Sequence, residues 1–170
     1  MVQLKLLHKP WPLESLQSED GKPIIEDGQL IARGLSVRMG IHSGMPLCET
    51  DVDVITRRMD YFGPMVNHSA RINGCANGGQ IMVSTDIVRE IRTSVVNAEE
   101  PTEYSSLQSA AAIEAIRELD VVIKHVGEVK LKGIELPEIL SAIYHSGLEG
   151  RHELDEKFQS RCRTNRYSGP

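Results

Sequence analysis

Aromatic side chains are scarce in this chain, at 4% of 170 residues, with a single tryptophan and two phenylalanines. An aromatic-rich sandwich core is therefore not expected, and the core must rest on Val, Ile, Leu, Met and Ala. The hydrophobic content is 40%, and the length is normal for one globular domain. The composition thus predicts one core in which helices pack on a sheet.

Cysteine is also rare, with three widely spaced residues, Cys48, Cys75 and Cys162. Their number is odd and no two of them form a CxxC pair, so the cysteines indicate neither a disulfide framework nor a zinc site. Reduced thiols are typical of the cytosol. We therefore expect a cytoplasmic chain.

The sequence has neither an excess of basic residues nor a long apolar run. Its formal net charge is -5 at pH 7, which argues against a nucleic-acid partner, although a few focused cations could still bind one nucleotide. No apolar run approaches the roughly 20 residues that span a bilayer, and no signal peptide is recognisable. We expect a soluble chain without a membrane span of its own, which missing parts of a larger protein could attach to a membrane.

The first half of the chain carries clear local signals. LSVRMGIHSG alternates apolar and polar residues, which is typical of a half-buried strand. Gly63 and Pro64 mark the start of a helix, and the stretch from Gly74 to Gly79 marks its end. QIMVS follows as a short buried strand. The predicted order is strand, helix, strand.

The second half continues this alternation. A helix over DIVREIRTSV is predicted, capped by Thr85 or the serine before it. VVIKHVGEVKLKG predicts two strands separated at Gly127, and EILSAIYH predicts a final one. Together these elements indicate an α+β domain whose helices pack on a largely antiparallel sheet.

The ends and one internal segment differ in composition from the rest. Residues 1–146 are predicted to form the domain, with a polar insertion at about 97–118, and residues 147–170 a charged C-terminal tail. The chain starts on a helix without a capping residue, and Pro10 ends that helix. This start is typical of a piece cut from a longer domain.

Asn67 and Arg71 are one helical turn apart and should project from the same face of the predicted helix. An arginine fork suits a phosphate oxygen whose charge grows during a reaction, and an asparagine amide can bond a sugar. A solvated helix face is the commoner explanation for such a pair when nothing else is known. The pair alone leaves both interpretations open.

The surrounding motifs resemble those of the class III adenylyl and guanylyl cyclase family. The resemblance runs in order through VRMGIHSG, MDYFGPMVNHSARINGCANGGQIMVS and GEVKLKG, and it covers about residues 35–145. PWPLE upstream adds a likeness to the fungal adenylyl cyclases. The resemblance implies a ferredoxin-like class III nucleotide cyclase catalytic domain that is missing its N-terminal strands.

The resemblance also implies a role for individual residues. The family's transition-state asparagine falls on Asn67, and its phosphate-stabilising arginine falls on Arg71. Its purine-selecting residue falls on Asp60, which can accept from the adenine amino group but would oppose the guanine oxygen. The family's late phosphate-binding lysine matches Lys132, with Lys130 as the rival if the register slips.

The family's metal site has no counterpart in the sequence. Class III cyclases hold two Mg²⁺ ions with two aspartates from segments that would precede residue 1, so the cofactor's ligands are absent from this chain. Asp51 and Asp53 are candidate replacements, because carboxylates bind Mg²⁺. They belong to the segment after the first strand, however, where exposed acidic residues are common. We therefore expect no metal site in this chain.

The resemblance implies an enzyme, a phosphorus-oxygen lyase that converts ATP to cyclic AMP and pyrophosphate, with a second cyclase catalytic domain as partner. Activity of this chain alone is not expected. A catalytically inactive pseudo-cyclase that serves dimerisation or regulation is the alternative. The histidines offer no rival catalyst: His42 is interpreted as structural, and His68 should point away from Asn67.

Overall fold

The computed structural model describes residues 2–44, 49–96, 114–115 and 118–154. Most of the segment predicted as an insertion, as well as Cys48 and Cys162, lie outside these residues. Helices span α1 Val2–Leu7, α2 Leu13–Gln17, α3 Pro64–Cys75 and α4 Thr85–Val96. Strands span β1 Ile24–Glu26, β2 Gln29–Ala32, β3 Met39–Ile41, β4 Glu49–Val52, β5 Met59–Phe62, β6 Ile81–Ser84, β7 Val121–Val129 and β8 Glu138–His145, followed by a 3-10 turn, Ser146–Leu148.

The main sheet has four strands in the order β3-β6-β8-β7. β3 pairs with β6 in parallel, and β8 pairs antiparallel with both β6 and β7. α3 lies in the crossover between β3 and β6, and α4 lies between β6 and β7. The predicted α+β class is confirmed, and the sheet is antiparallel except at β3.

The break predicted at Gly127 is wrong, because β7 is one nine-residue strand. Its pairing with β8 shifts between His125 and Gly127, where His125 lies opposite Ser141 and Gly127 opposite Leu140. Val126 is therefore the extra residue of a β-bulge. Isolated glycines in strands often mark such bulges, since the chain can adopt a positive φ there.

Two glycines fix the position of α3. Gly63, with φ 114°, allows the reversal from β5 into the helix, and Pro64 at the first helical position sets the helical φ. Gly40 in β3 has no Cβ, and any Cβ there would overlap the backbone of Asn73. Ser69 Oγ also donates to the Gly40 carbonyl at 3.1 Å. The helix therefore lies directly against β3.

The core lies between α3 and the sheet. Ile72 of α3 and Ala76, which caps the C-terminal end of that helix, face inwards and meet Met82 of β6 and Leu140 of β8. Leu131, from the turn after β7, completes this buried cluster. This cluster consists of Ile, Ala, Met and Leu side chains, as expected from the composition, and Tyr144 of β8 is buried as well.

The acidic segment after β3 forms an exposed two-stranded ribbon, β4 and β5, outside the main sheet. Asp53 closes the turn between them, because its carboxylate accepts from the backbone N–H groups of Ile55 and Thr56 and from the Thr56 hydroxyl. These hydrogen bonds, led by that from the Thr56 backbone, hold the pKa of Asp53 below its usual value. Asp53 is thus engaged in its own turn.

Part of the segment predicted as a charged tail packs on the domain. Leu148 is buried, and Arg151, in a helical segment over 151–154, is buried as well. The Arg151 guanidinium donates to the carbonyls of Ile31 and, at 3.2 Å, Gly79. The domain boundary after residue 146 stays a prediction, and residues 155–170 lie outside the described part of the chain.

The helix expected at the start of the chain is α1, which ends before Pro10, and α2 and the β1–β2 hairpin follow it. Trp11 Nε1 donates to the Leu6 carbonyl at 2.8 Å, so the chain folds back directly after α1. Across the described residues, the helices are too short or too polar to cross a bilayer.

Candidate functional site

Asn67 and Arg71 lie in the first and second turns of α3, and both side chains are exposed. Their neighbours in sequence face the opposite way, since His68 points to the sheet and Ile72 is fully buried. The spacing of four residues places the amide and the guanidinium on the same face of the helix. α3 therefore presents a hydrogen-bonding group and a fixed cation together to solvent.

Asp60 lies on β5, three residues before the turn that starts α3. Its side chain is exposed, and its Oδ1 accepts from the Tyr61 backbone N–H at 2.9 Å. Asp51 lies directly opposite on β4 and accepts from the Val52 N–H at 2.7 Å in the same manner. The two aspartates thus occupy equivalent positions on paired strands, and only Asp60 was predicted to select a purine.

Lys132 and Lys130 differ in their surroundings. The ammonium group of Lys130 donates to the Glu135 carbonyl within the turn after β7. Lys132 is exposed, and its ammonium has no hydrogen-bond or ion-pair partner among the described residues. The turn therefore occupies Lys130 and leaves Lys132 available to a ligand.

The fold brings two other segments of the predicted site towards α3, which itself carries Asn67 and Arg71. β5 leads into α3 through Gly63, and Leu131, next to Lys132, packs in the core against Ile72. Within the described chain, Asp60, Asn67, Arg71 and Lys132 form no side-chain hydrogen bond or ion pair with one another. Their joint action on one ligand stays a prediction.

A second cluster of polar side chains lies on the inner face of α3. His68 Nε2 contacts a carboxylate oxygen of Glu138 at the start of β8. The ring of His42, just after β3, stacks on His68 with 4.1 Å between ring centroids. His42 Nδ1 is hydrogen bonded to the buried Ser84 hydroxyl at 3.0 Å. Side chains from α3, β6, β8 and the end of β3 therefore meet here.

Burial lowers the pKa of His42, and the neighbouring His68 imidazole lowers it further. Glu138 and Asp86 act in the opposite direction by favouring the charged ring. The net effect keeps His42 neutral near pH 7, because its pKa falls from an ordinary value of 6.5. A neutral imidazole retains one unprotonated nitrogen.

This histidine cluster was not predicted from the sequence. His42 was interpreted as structural and His68 only as pointing away from Asn67. The one available signal was the position of His68 next to Asn67 on the helix, which places it towards the sheet. Glu138 carried no signal, because 70 positions separate it from His68.

A family model described as "Adenylate and Guanylate cyclase catalytic domain" matches residues 3–136. The match includes β3, the exposed ribbon, α3, β6 and β7. It therefore spans all four of the predicted site residues.

Curated relatives include an adenylate cyclase of Podospora anserina, 46% identical over 93% of this chain, and one of Mycosarcoma maydis, 42% identical over 89%. The chain spans only 8% and 7% of the length of these two relatives. Among solved structures, an adenylate cyclase of Trypanosoma brucei aligns with a TM-score of 0.46 and 25% identity over 68% of this chain and 39% of its own.

Proposed function

Because the chain belongs to the adenylate and guanylate cyclase catalytic domain family, we propose that it carries the nucleotide-facing half of an adenylate cyclase active site. The reaction is the conversion of ATP to cyclic AMP and pyrophosphate. The similarity to fungal proteins named adenylate cyclase supports this choice of reaction. We propose a cytoplasmic location for this activity, a compartment in which cysteine thiols stay reduced.

The observation that carries the proposal is the exposed pair on α3. Asn67 and Arg71 share one face of a helix whose opposite face is anchored by the core residue Ile72. A helix anchored in this way can present both groups without first ordering them. Such preorganised donors favour a transition state over a ground state, because they need no rearrangement as charge develops.

Arg71 is proposed to stabilise the phosphate charge as the 3′-hydroxyl attacks the α-phosphate. Its guanidinium fork can donate two parallel hydrogen bonds to phosphate oxygens. Asn67, one turn earlier, is proposed to orient the ribose through its amide. Lys132, whose ammonium is free within the described residues, would bind another phosphate oxygen as a compact charge.

Asp60 is proposed to select adenine. A carboxylate accepts hydrogen bonds and donates none when ionised, so it matches the 6-amino group of adenine and repels the 6-oxygen of guanine. The exposed position of Asp60 on β5 leaves one of its oxygens available, since the bond to the Tyr61 N–H uses Oδ1.

The described residues do not fit the two Mg²⁺ ions that the family implies. Mg²⁺ binds carboxylates and water oxygens in octahedral geometry. The one cluster of three metal-ligating side chains among the described residues contains two imidazoles, from His42 and His68. Asp53 is occupied in its turn, and Asp51 faces Asp60. We therefore assign no step of the reaction to a metal held by this chain.

A second cyclase catalytic domain is the proposed partner. The β4–β5 ribbon exposes a row of large apolar side chains, with Val54 and Ile55 at its tip exposed by 87% and 90%. Contiguous exposed apolar surface marks interaction sites more often than isolated apolar residues do. The ribbon also carries Asp60, so a partner that covers it would lie next to the proposed nucleotide site.

The test is a complementation experiment with the purified 170-residue chain. Cyclic AMP formation is measured with the chain alone, with a cyclase catalytic domain that retains its metal-binding aspartates, and with the mixture. We expect the mixture to exceed the sum of the two separate activities, because the chain supplies the α3 pair and the partner supplies the metals.

The alternative, an inactive dimerisation or regulatory module, predicts a different result. The chain would bind ATP or the partner domain, as measured by calorimetry, without raising cyclic AMP formation in the mixture. A chain that binds neither would contradict both proposals.

Asp60→Asn should relax purine selection in the complemented mixture. An asparagine amide can donate to the guanine oxygen as well as accept from adenine, so we expect the ratio of kcat/KM for ATP to that for GTP to fall by about tenfold or more. The measurement is the rate of cyclic AMP and cyclic GTP formation at limiting substrate.

Asp51→Asn is the matched control, because Asp51 has the same side chain, the same exposure class and an equivalent backbone hydrogen bond on the neighbouring strand. Its ATP to GTP ratio should equal that of the unmodified chain. Equal changes in both variants would show that local charge, and not Asp60 itself, sets the preference.

A further inference from the structure

The imidazoles of His42 and His68 and the carboxylate of Glu138 each offer a ligand atom, and these atoms lie within 4.8 Å of one another. We propose that this histidine cluster is a binding site for a divalent transition metal of the zinc type, separate from the family's magnesium centre. It lies between the sheet and the inner face of α3, whereas Asn67 and Arg71 lie on the exposed face of that helix.

The donor set decides the class of metal. Two imidazole nitrogens and one carboxylate oxygen are a combination that holds Zn²⁺ in proteins, with a fourth position left to water. Mg²⁺ prefers oxygen ligands and would gain little from two imidazoles. The side chains of His68 and Glu138 keep 24% and 18% of their exposure, so an ion and its water can reach them.

An ion pair between His68 and Glu138 does not explain the position of His42. A contact between His68 and Glu138 alone would satisfy both of these groups. His42 nevertheless stacks on His68, and the buried hydroxyl of Ser84 holds its ring there. Placing a second imidazole beside a histidine and a carboxylate is useful to a metal, because each ring can contribute a nitrogen.

Coordination requires a small rearrangement. Ligand atoms about 2.0–2.2 Å from a tetrahedral zinc ion lie closer to one another than 4.8 Å. The stacked rings must therefore rotate about their side-chain torsions until their nitrogens converge, and the metal replaces the hydrogen between His68 and Glu138.

An ion at this site would connect three parts of the domain. It would link the chain after β3, the middle of α3 and the start of β8. Because His68 directly follows Asn67, occupancy would also restrict the part of α3 that presents Asn67. The bound metal would thus restrict the movement of α3 relative to the sheet.

The experiment is a titration of the metal-free 170-residue chain with Zn²⁺ alone, followed by calorimetry, and with Co²⁺, whose visible spectrum reports tetrahedral coordination. We expect one ion per chain. Replacement of any one ligand, as His42→Gln, His68→Gln or Glu138→Gln, should weaken binding by at least about 100-fold, since even changes around a metal's ligands cost 10–100-fold.

His125→Gln is the matched control, because His125 is an exposed histidine of the same sheet. Its affinity should equal that of the unmodified chain. Absence of a stoichiometric site, equal affinity in the ligand variants, or a sulfur-to-cobalt charge-transfer band that assigns the ion to a cysteine would each overturn the proposal.

The glutamine variants keep a hydrogen-bonding group, but a variant could still fail to fold. Nuclear magnetic resonance of the unmodified chain therefore provides a second measurement. Zn²⁺ should shift the imidazole signals of His42 and His68 and leave those of the other four histidines unchanged. Shifts confined to other histidines would refute the assignment whatever the variants do.

Discussion

Arg71→Ala should lower cyclic AMP formation in the complemented mixture by about 10²–10³-fold. Removing one preorganised donor that faces developing charge has a cost of this size in other enzymes. The guanidinium of Arg71 is exposed on α3 and supports no other described element, so the fold should not change. The measurement is kcat and KM for ATP in the mixture, together with the thermal unfolding midpoint of the variant.

Arg92→Ala is the control for charge. Arg92 is an exposed arginine of α4, a different helix from the one that carries Arg71, and its removal changes the net charge by the same amount. Its mixture should keep the activity of the unmodified chain. Loss of activity in Arg92→Ala, or full activity in Arg71→Ala, would contradict the role assigned to Arg71.

Ile72→Ala should destabilise the chain by about 2–5 kcal/mol, because it removes a fully buried side chain and leaves a cavity. Ile72 is 0% exposed and contacts the core residues of β6, β8 and the turn after β7. Domains of this size are stable by only about 5–15 kcal/mol, so the loss is a large share of the total. Denaturant unfolding of the full chain measures it.

Ile25→Ala is the matched control for the side chain removed. Ile25 lies on β1 and is 66% exposed, so the same substitution should change the free energy of unfolding by no more than about 0.5 kcal/mol. A comparable loss in both variants would show that the core does not rest on Ile72.

Arg71 and Ile72 are adjacent in the sequence, yet the two substitutions are expected to affect different properties. One residue faces solvent and the other faces the sheet, because adjacent residues of a helix point in different directions. The proposed function needs both, because the guanidinium can be held in place only if the opposite face of α3 is anchored.

Local patterns predicted much of the fold. β8 spans Glu138–His145, the whole of the predicted strand EILSAIYH, and β6 agrees with QIMVS. The limits of α3 agree with the glycines and the proline that mark them. Each signal depends on alternation, capping or turn chemistry within a few residues, which a sequence displays directly.

Other elements could be identified only from the tertiary structure. The ribbon β4–β5 is exposed on every residue, so it has no buried face to give a strand pattern. From the sequence alone, Gly127 suggests a break between two strands. In the fold, β7 continues past Gly127 because it stays paired with β8 through a bulge. The sequence pattern assigned Arg151 to a charged tail. In the fold it is buried, and its guanidinium donates to carbonyls from distant parts of the chain.

The same division holds for the sites. The sequence alone determined that Asn67 and Arg71 share a helix face, because four residues make about one helical turn. Only the tertiary structure brought together His42, His68 and Glu138, since the last two are 70 positions apart and no local pattern encodes their contact. Their meeting depends on α3 packing on β3 beside β6 and β8, which is a property of the sheet order and not of any one segment.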